Sequence, residues 1–312
     1  MEILFNILNV IKYLIYALII IAFLIFIFLN VSPVFGASPD KNTKEIIVNS
    51  ENFFEGKFRN IKTTYTNFRT LERKSTLKEW FFPPKDKNPL GPLPTIKFQG
   101  KDLTEGKFVW FGHSTLLMKT EGLVVMTDPV FNRASPLPSF SSKSKSSFFN
   151  GKPFVFENPI LIEDLPKVNV VIISHDHYDH LDSKAIKDLS NLVDHFIVPL
   201  GVGAHLERWG VDKNKITELD WYESKIYKDV EFIFAPALHF SGRGITNGNS
   251  TLWGSWIVKS KSLSAYFSGD GGYSETFKKL GNEYGPFDIA FIENGAYNID
   301  WSNVHMFPDE SV

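Results

Sequence analysis

Residues 168–182 join a buried strand to a dense cluster of polar side chains, and few folds accommodate that combination. The apolar run VNVVIIS at residues 168–174 predicts a buried strand. The next eight residues, HDHYDHLD, contain three histidines and three aspartates. Because alternate side chains of an extended segment share a face, His175, His177 and Asp179 point the same way, and His180 joins them where the chain turns. Such a cluster at the carboxyl end of a strand predicts an α/β fold, which places its sites there.

The donor types in this cluster indicate a metal site. Imidazole nitrogens and carboxylate oxygens suit zinc or a similar transition metal. The chain has no cysteine, so thiolate ligands and disulfides are excluded. A solvated polar loop is the alternative, and four donors at this spacing make it the weaker interpretation. Their arrangement as two pairs suggests two metal ions.

Further donors are expected from strands later in the chain. His239 follows a predicted strand at residues 230–235, and Asp270 follows one at residues 265–268. Glycines on both sides of Asp270 let the backbone bend closely around it. Asp270 alone would pass for a turn residue, but beside two metals its carboxylate is a natural bridge between them.

Two polar residues earlier in the chain belong to a predicted hairpin, whose strands at residues 108–111 and 123–126 flank a Glu-Gly turn. We expect His113 to be a strand-end histidine satisfied by hydrogen bonds, not a metal ligand. Asp128 precedes a proline at the end of the second strand. It is either a turn residue or a carboxylate that supports a ligand.

The N-terminal part of the chain has a different character. Residues 13–29, YLIYALIIIAFLIFIFL, contain no charge, glycine or proline, and with the next few residues they reach the roughly 20 needed to cross a bilayer. A cleaved signal peptide is the alternative, but the apolar run is longer than such peptides carry. We therefore expect residues 1–35 to be an uncleaved, single-pass membrane anchor with the following domain outside the cytoplasm.

The rest of the chain divides into a linker with an irregular extension, residues 36–100, and a domain that carries the expected metal site, residues 101–312. The linker proper is the polar segment at residues 38–45, and residues 136–158 read as a loop. Within the domain, strands alternate with helices predicted at residues 183–191 and 201–209, which is typical of a layered α/β fold. The net charge of −2 gives no basic face for nucleic acid.

Several longer motifs carry a family resemblance. The order TDP, HDHYDH, His239 and Asp270 resembles the metallo-β-lactamase superfamily. Within it, the chain is similar to the N-acyl-phosphatidylethanolamine-hydrolysing phospholipase D family, through the segments WFGHSTLL, TDPVFNRASP, ISHDHYDHLD, LHFSGRG, LWGSW, SGDGGY, YGPFDIAFIENGAYN and VHMFPDESV. The resemblance runs from about residue 110 to the end of the sequence. It implies an αββα sandwich that holds two zinc ions.

The resemblance also implies the roles of individual residues. One zinc would be held by His175, His177 and His239, and the other by Asp179 and His180, with Asp270 as the bridge. His305 matches a family histidine beside the site, where it would orient or protonate a substrate. Asp182 is expected to begin a helix and not to bind metal.

One family ligand has no counterpart in this sequence. The last zinc ligand of the family is a histidine in an Ile-His-Trp-Gly-Thr-like segment, and it lies beyond the motif that contains His305. The sequence stops at Val312 before that segment, so the second zinc site lacks one ligand. The expectation is that the chain is a fragment; a naturally short variant is the alternative. His113, His195 and His205 stand in contexts that do not replace it.

The expected activity follows from the charge of such a centre together with the family resemblance, which implies the phospholipase D type and its lipid substrates. Two divalent ions, two aspartates and a hydroxide leave it slightly positive, which favours an anionic phosphate group. We expect a zinc-dependent phosphodiesterase of phospholipase D type, in which Asp179 accepts a proton from the attacking water. Its substrates would be N-acyl-phosphatidylethanolamine-like lipids in a membrane.

Substrate contacts are less constrained by the sequence. Tyr178, Phe240 and Arg243 lie close to the expected ligands, where each has either a substrate-binding or a structural role. The alternatives to a phospholipase are another hydrolase of the same fold, acting on a lactone or a soluble phosphodiester, and an inactive metal-binding scaffold.

Overall fold

The computed structural model describes residues 2–62, 64, 89–136 and 153–312, so most of the loop predicted at residues 136–158 lies outside the described residues. The chain divides into two units, Met1–Phe35 and Gly36–Val312. The first unit consists mainly of helix α1, Glu2–Val31. Its segment Phe5–Val31 is long and apolar enough to cross a membrane, and none of it is buried inside the protein.

The second unit begins with a helix where the sequence predicted a polar linker. Helix α2 spans Lys41–Asn49, and the Asp40 side chain caps it by accepting a hydrogen bond from the Thr43 amide at 2.8 Å. The helix has no clear apolar face, since Ile47 is its buried residue. A short hairpin follows, with strands β1, Phe53–Phe54, and β2, Lys57–Phe58.

Among the described residues, six strands form the first sheet, in the order β3-β4-β5-β6-β7-β8. The first three are antiparallel neighbours, whereas β5 to β8 run parallel. The parallel part aligns the carboxyl ends of its strands, as Thr127 of β5 pairs with Ile172 of β6. The bounds are β3, Phe108–Trp110; β4, Leu116–Thr120; β5, Leu123–Thr127; β6, Val168–Ile172; β7, Val193–Pro199; and β8, Ile216–Leu219.

Five strands of the described chain form the second sheet, in the order β13-β12-β11-β10-β9. The pair β12 and β13 is parallel, and the other neighbours are antiparallel. The bounds are β9, Ser224–Tyr227; β10, Val230–Ala235; β11, Ser255–Lys259; β12, Ser264–Phe267; and β13, Ile289–Phe291.

In the described part of the chain, three clusters of buried apolar side chains stabilise this domain. The largest cluster lies between the two sheets and includes Ile172 from the first sheet and Trp256 from the second. A second cluster packs helices α3, Ser183–Leu189, and α4, Gly203–Arg208, on the outer face of the first sheet. A third packs helix α5, Thr276–Tyr284, on the second sheet. The order helix, sheet, sheet, helix confirms the predicted αββα sandwich.

Candidate metal centre

The histidine-rich segment begins where strand β6 ends and closes at the start of α3. A turn forms within it, because the amides of His180 and Leu181 both donate to the His177 carbonyl, at 3.1 and 2.8 Å. Asp182 then caps α3 by accepting hydrogen bonds from the amides of Lys184 and Ala185, at 2.9 and 3.2 Å. This confirms its predicted role at the helix start, and it brings the side chains of the segment to one edge of the sheet.

Three imidazoles form the first candidate ligand group: His175, His177 and His239. Nε2 of His175 lies 2.8 Å from Nδ1 of His177, and that atom lies 3.3 Å from Nε2 of His239. Tetrahedral geometry with Zn–N bonds of about 2.0–2.1 Å separates neighbouring ligand nitrogens by roughly 3.3 Å. The three rings are therefore close to the spacing that a bound zinc ion would need.

The second group contains Asp179 and His180, as predicted, together with His113. Nε2 of His113 lies 3.5 Å from a carboxylate oxygen of Asp179, and its ring lies 4.9 Å from the ring of His180. From its sequence context, His113 is expected to be a strand-end histidine satisfied by hydrogen bonds and not a metal ligand, and the structure brings it beside two candidate ligands. Its backbone adopts a left-handed conformation with φ of 48°, which turns the side chain at the end of β3 in a way that periodicity does not reveal.

Asp270 lies between the two groups. One carboxylate oxygen is 3.1 Å from Nε2 of His180 and 4.0 Å from both Nε2 of His239 and Nδ1 of His305. The preceding Gly269 has φ of 56°, and a Cβ there would stand 2.7 Å from the Ser174 side chain. Glycine thus lets the end of β12 approach the end of β6 closely enough for Asp270 to reach both groups.

Asp128 supports this centre from behind. Its fully buried carboxylate accepts hydrogen bonds from the backbone amide and the hydroxyl of Ser174, at 2.7 and 2.6 Å. The second of these oxygens lies 2.7 Å from Nδ1 of His180. A carboxylate on the far nitrogen of a ligand histidine fixes the ring and its tautomer. Of the two roles considered for Asp128, the geometry favours support of a ligand.

The charges of the centre differ between its two halves. Burial, reinforced by the neighbouring imidazoles, lowers the pKa of His175 and His239 well below the ordinary value, so both rings are neutral and their lone pairs are available. Burial alone would lower the pKa of His180 too, but Asp270 and Asp128 outweigh it and raise that pKa well above the ordinary value. Burial opposes ionisation of Asp270, yet His180 holds its pKa well below the usual range.

His305 is hydrogen-bonded to Glu293, which is not among the site residues predicted from the sequence. Its Nδ1 lies 2.8 Å from one oxygen of Glu293, and the other oxygen accepts a hydrogen bond from the Met306 amide at 2.9 Å. Burial acts to lower the pKa of His305, but the hydrogen bond to Glu293 and the Asp270 charge raise it overall. Glu293 follows strand β13, and its position at a strand end was the sequence feature that could have identified it as a site residue.

The three predicted substrate contacts lie in different surroundings. Arg243 is only 3% exposed, and its guanidinium donates to the carbonyls of Asp176 and Leu181, both at 2.7 Å. It also lies over the ring of Tyr178, 4.2 Å from the centroid, and the Tyr178 hydroxyl donates to the Arg243 carbonyl. The ring of Phe240 lies 4.6 Å from that of His177. Arg243 thus faces the backbone of the ligand segment, while substrate contact by Tyr178 and Phe240 stays a prediction.

The residues present fit a divalent metal ion. Nitrogen and oxygen donors from four strand ends converge, and each neutral imidazole among them has one unprotonated ring nitrogen that can bind a metal ion. Nε2 of His180 is buried and makes no hydrogen bond of acceptable geometry to any described residue, although Asp270 is 3.1 Å away. A buried nitrogen without a hydrogen-bond partner is suited to bind a metal ion.

An αββα sandwich with histidines and aspartates gathered at its strand ends defines a metal-dependent hydrolase of the metallo-β-lactamase fold. The chain belongs to the β-lactamase superfamily, since the family model for the beta-lactamase superfamily domain matches residues 124–312.

Individual relatives lie at moderate identity. The chain is 41% identical over 229 residues to an uncharacterized protein of Mycobacterium tuberculosis, a match that covers 72% of this chain and 58% of that protein. It is 36% identical over 245 residues to the N-acyl-phosphatidylethanolamine-hydrolyzing phospholipase D 1 of Caenorhabditis elegans, covering 73% and 66% of the two chains. Among solved structures, the isothiocyanate hydrolase from Delia radicum gut bacteria aligns at 18% identity with a TM-score of 0.46, over 63% of this chain and 75% of that one.

Proposed function

We propose that this chain is a zinc-dependent phosphodiesterase of phospholipase D type that hydrolyses N-acyl-phosphatidylethanolamine-like lipids at a membrane. The observation that carries the proposal is the convergence of two donor groups on the shared carboxylate of Asp270. The similarity to the C. elegans phospholipase over most of the chain supports the substrate class. The products would be phosphatidic acid and the N-acylated headgroup.

Two zinc ions would occupy the centre. His175, His177 and His239 would hold one, Asp179 and His180 the other, and Asp270 would be shared. Bound zinc supplies Lewis acidity and lowers the pKa of a coordinated water to about 7. Zinc is favoured because the donors are imidazoles and carboxylates in a compact, buried arrangement.

The protein's own groups divide the proton transfers between them. Asp179 is half-exposed at the edge of the centre, where it would accept a proton from the attacking water. His305 would deliver a proton to the leaving oxygen. Its Nδ1 is engaged by Glu293, so Nε2 is the ring atom left to face a substrate.

The membrane part of the proposal rests on helix α1. A single apolar helix ahead of the hydrolase unit would make the chain a single-pass membrane protein and hold it at a bilayer. The catalytic domain is proposed to lie outside the cytoplasm. The lipid substrate and the membrane-anchored enzyme would then meet at the same bilayer surface.

Product analysis tests the function directly. The full chain, purified in detergent and loaded with zinc, should convert N-acyl-phosphatidylethanolamine in mixed micelles to phosphatidic acid, identified by mass spectrometry. The His177→Ala variant should lose more than about 100-fold in turnover, because even the partners of metal ligands account for about 10–100-fold. His195→Ala is the matched control, since that ring lies on β7 and contacts Thr217 outside the centre.

Two results would contradict the proposal. Hydrolysis of lactones or soluble phosphodiesters without cleavage of the phospholipid would assign the centre to another reaction of the fold. Zinc binding without turnover of any of these substrates would instead indicate a metal-binding scaffold.

A further inference from the structure

Asn60, in the N-terminal extension, is hydrogen-bonded to the backbone of the candidate ligand His239. Its side-chain Nδ2 donates to the His239 carbonyl at 2.9 Å, and its Oδ1 accepts from the His239 amide at 3.2 Å. The same Oδ1 accepts a third hydrogen bond from Nε1 of Trp253 at 3.1 Å. One side chain thus holds both backbone polar groups of His239, as the edge of a neighbouring strand would.

The chemistry of the neighbours fixes the orientation of this amide. Two N–H groups, from His239 and Trp253, point at one atom of Asn60, and a carbonyl faces the other. If the amide were rotated by half a turn, its NH₂ group would oppose two donors and its oxygen would oppose an acceptor. Asparagine is therefore required as both a donor and an acceptor at this position.

Asn60 is itself well anchored. The amide of Phe58, a fully buried residue of β2, donates to the Asn249 carbonyl at 2.8 Å, and the Arg59 amide donates to the Asn52 carbonyl at 3.0 Å. Trp253 is 1% exposed and shares its Nε1 hydrogen between Asn60 and the Ala237 carbonyl. The hairpin thus presents the Asn60 side chain from a fixed base.

His239 needs such a partner because it lies in the irregular segment between β10 and β11. A backbone amide and carbonyl in that segment lack the ladder partners that strands provide, and leaving them unpaired in the interior would be costly. The far side of the ring is held separately, with Nδ1 placed 3.1 Å from the Val304 carbonyl. Asn60 fixes the backbone and Val304 the ring, and together they direct Nε2 at the centre.

We propose that Asn60 is a positioning residue of the metal centre, which sets the direction of the His239 ligand nitrogen through the His239 backbone. The inference rests on the metal centre of the proposed function. It extends that centre to the N-terminal extension, beyond residues 124–312 that the family model matches. Groups that hold a metal ligand in place typically contribute about 10–100-fold to metal affinity.

The test compares Asn60→Ala with Asn52→Ala in the full chain. Asn52 is half-buried in the same hairpin and donates from its side chain to Asp220 at 2.8 Å, away from His239. Zinc affinity is measured by competition with a chelator, and ligand geometry by the visible absorption of the cobalt-substituted protein. We expect about 10–100-fold weaker zinc binding and an altered cobalt spectrum in Asn60→Ala only.

A third variant covers the case in which Asn60→Ala does not fold. Asn60→Asp has the same shape and keeps the oxygen that faces the two donors, but it places a second oxygen against the His239 carbonyl. Its cobalt spectrum should differ from that of the wild type, because His239 can no longer be held at both backbone groups.

The outcomes separate this inference from the proposed function. If the wild type binds zinc and the Asn60 variants match it in affinity and spectrum, the positioning role is overturned alone. Equal loss of affinity in Asn52→Ala would also overturn it, since the effect would then be general weakening of the hairpin. A wild-type chain that binds no metal would overturn the proposed function and this inference together.

Discussion

Nε2 of His180 lies 3.1 Å from the Asp270 carboxylate, and a metal ion bound at this nitrogen must displace the proton that the ring carries. The raised pKa of His180 means that its ring is protonated at neutral pH, whereas a metal ligand must be neutral. As pH falls, the proton competes more strongly with the metal; as pH rises, the competition disappears.

Zinc affinity should therefore increase with pH between about 6 and 8, with roughly one proton released for each ion taken up at this position. Calorimetric titrations in buffers of different ionisation enthalpy measure that release. An affinity that does not change over this range would show that His180 is neutral before the metal arrives.

Glu293 raises the pKa of His305, the second group of the site that carries a proton. The Glu293→Gln variant keeps a hydrogen-bonding side chain beside His305 but removes the charge that raises the His305 pKa. If protonated His305 is the active form, the alkaline limb of the pH–kcat profile should move down by about one pH unit or more. Glu163→Gln, on an exposed glutamate, is the control and should leave the profile in place. An unchanged alkaline limb in Glu293→Gln would separate His305 from proton delivery.

At the scale of elements, the segment after β6 is fastened to the segment after β10. Arg243 spans the two, and the amide of Gly242 donates to the Asp176 carboxylate at 2.6 Å. Burial opposes ionisation of Asp176, but the hydrogen bond and charge of His205 lower its pKa to about 2. The two segments that carry five of the candidate ligands thus share one buried polar network.

Removing Arg243 should loosen that network. Arg243→Ala leaves the carbonyls of Asp176 and Leu181 without their donor and removes a positive charge near the buried Asp176 carboxylate, and breaking a buried charged arrangement costs about 3–5 kcal/mol in the free energy of unfolding. Urea denaturation of the metal-free protein measures this, with the exposed Lys261→Ala as a neutral control. A loss no larger than that of the control would mean that the two segments are held by other contacts.

Elements with a strong local pattern could be predicted from the sequence. The apolar residues of β6 are buried, and Asp182 is a typical N-cap residue at the start of helix α3. Both elements were therefore predicted close to their observed bounds. Strands β8 and β9 were missed because Ile216–Leu219 and Ser224–Tyr227 are mostly half-exposed and mix polar with apolar residues. Helix α2 was missed for the same reason, since its stability comes from a cap and one buried side chain.

The residues of the site likewise divide into those that the sequence predicts and those that it does not. Ligands whose spacing follows strand periodicity, such as His175 and His177, are visible in a single segment of sequence. Asn60 is not, because its partner His239 lies 179 residues further along the chain. Glu293 and His113 belong to the site because the ends of separate strands lie close together in the fold. The local sequence pattern does not show which strand ends are neighbours.

At the scale of the whole molecule, the chain combines an apolar helix with a hydrolase unit. A variant lacking residues 1–35 should move from the membrane fraction to the soluble fraction, because an apolar span of this length anchors a protein firmly. Fractionation after alkaline carbonate washing measures the change, and the full-length His177→Ala chain serves as the membrane-retained control. Retention of the shortened variant in membranes would show that the hydrolase unit binds lipid by itself.

The hold on His239 also has a consequence for how the protein is made. The His239 backbone is held by Asn60 and its ring by the Val304 carbonyl, so the position of His239 is fixed only when both contacts have formed. Asn60 is synthesised long before Val304. We therefore expect a metal ion to be bound only after synthesis of residues 60–304 is complete, as a maturation step.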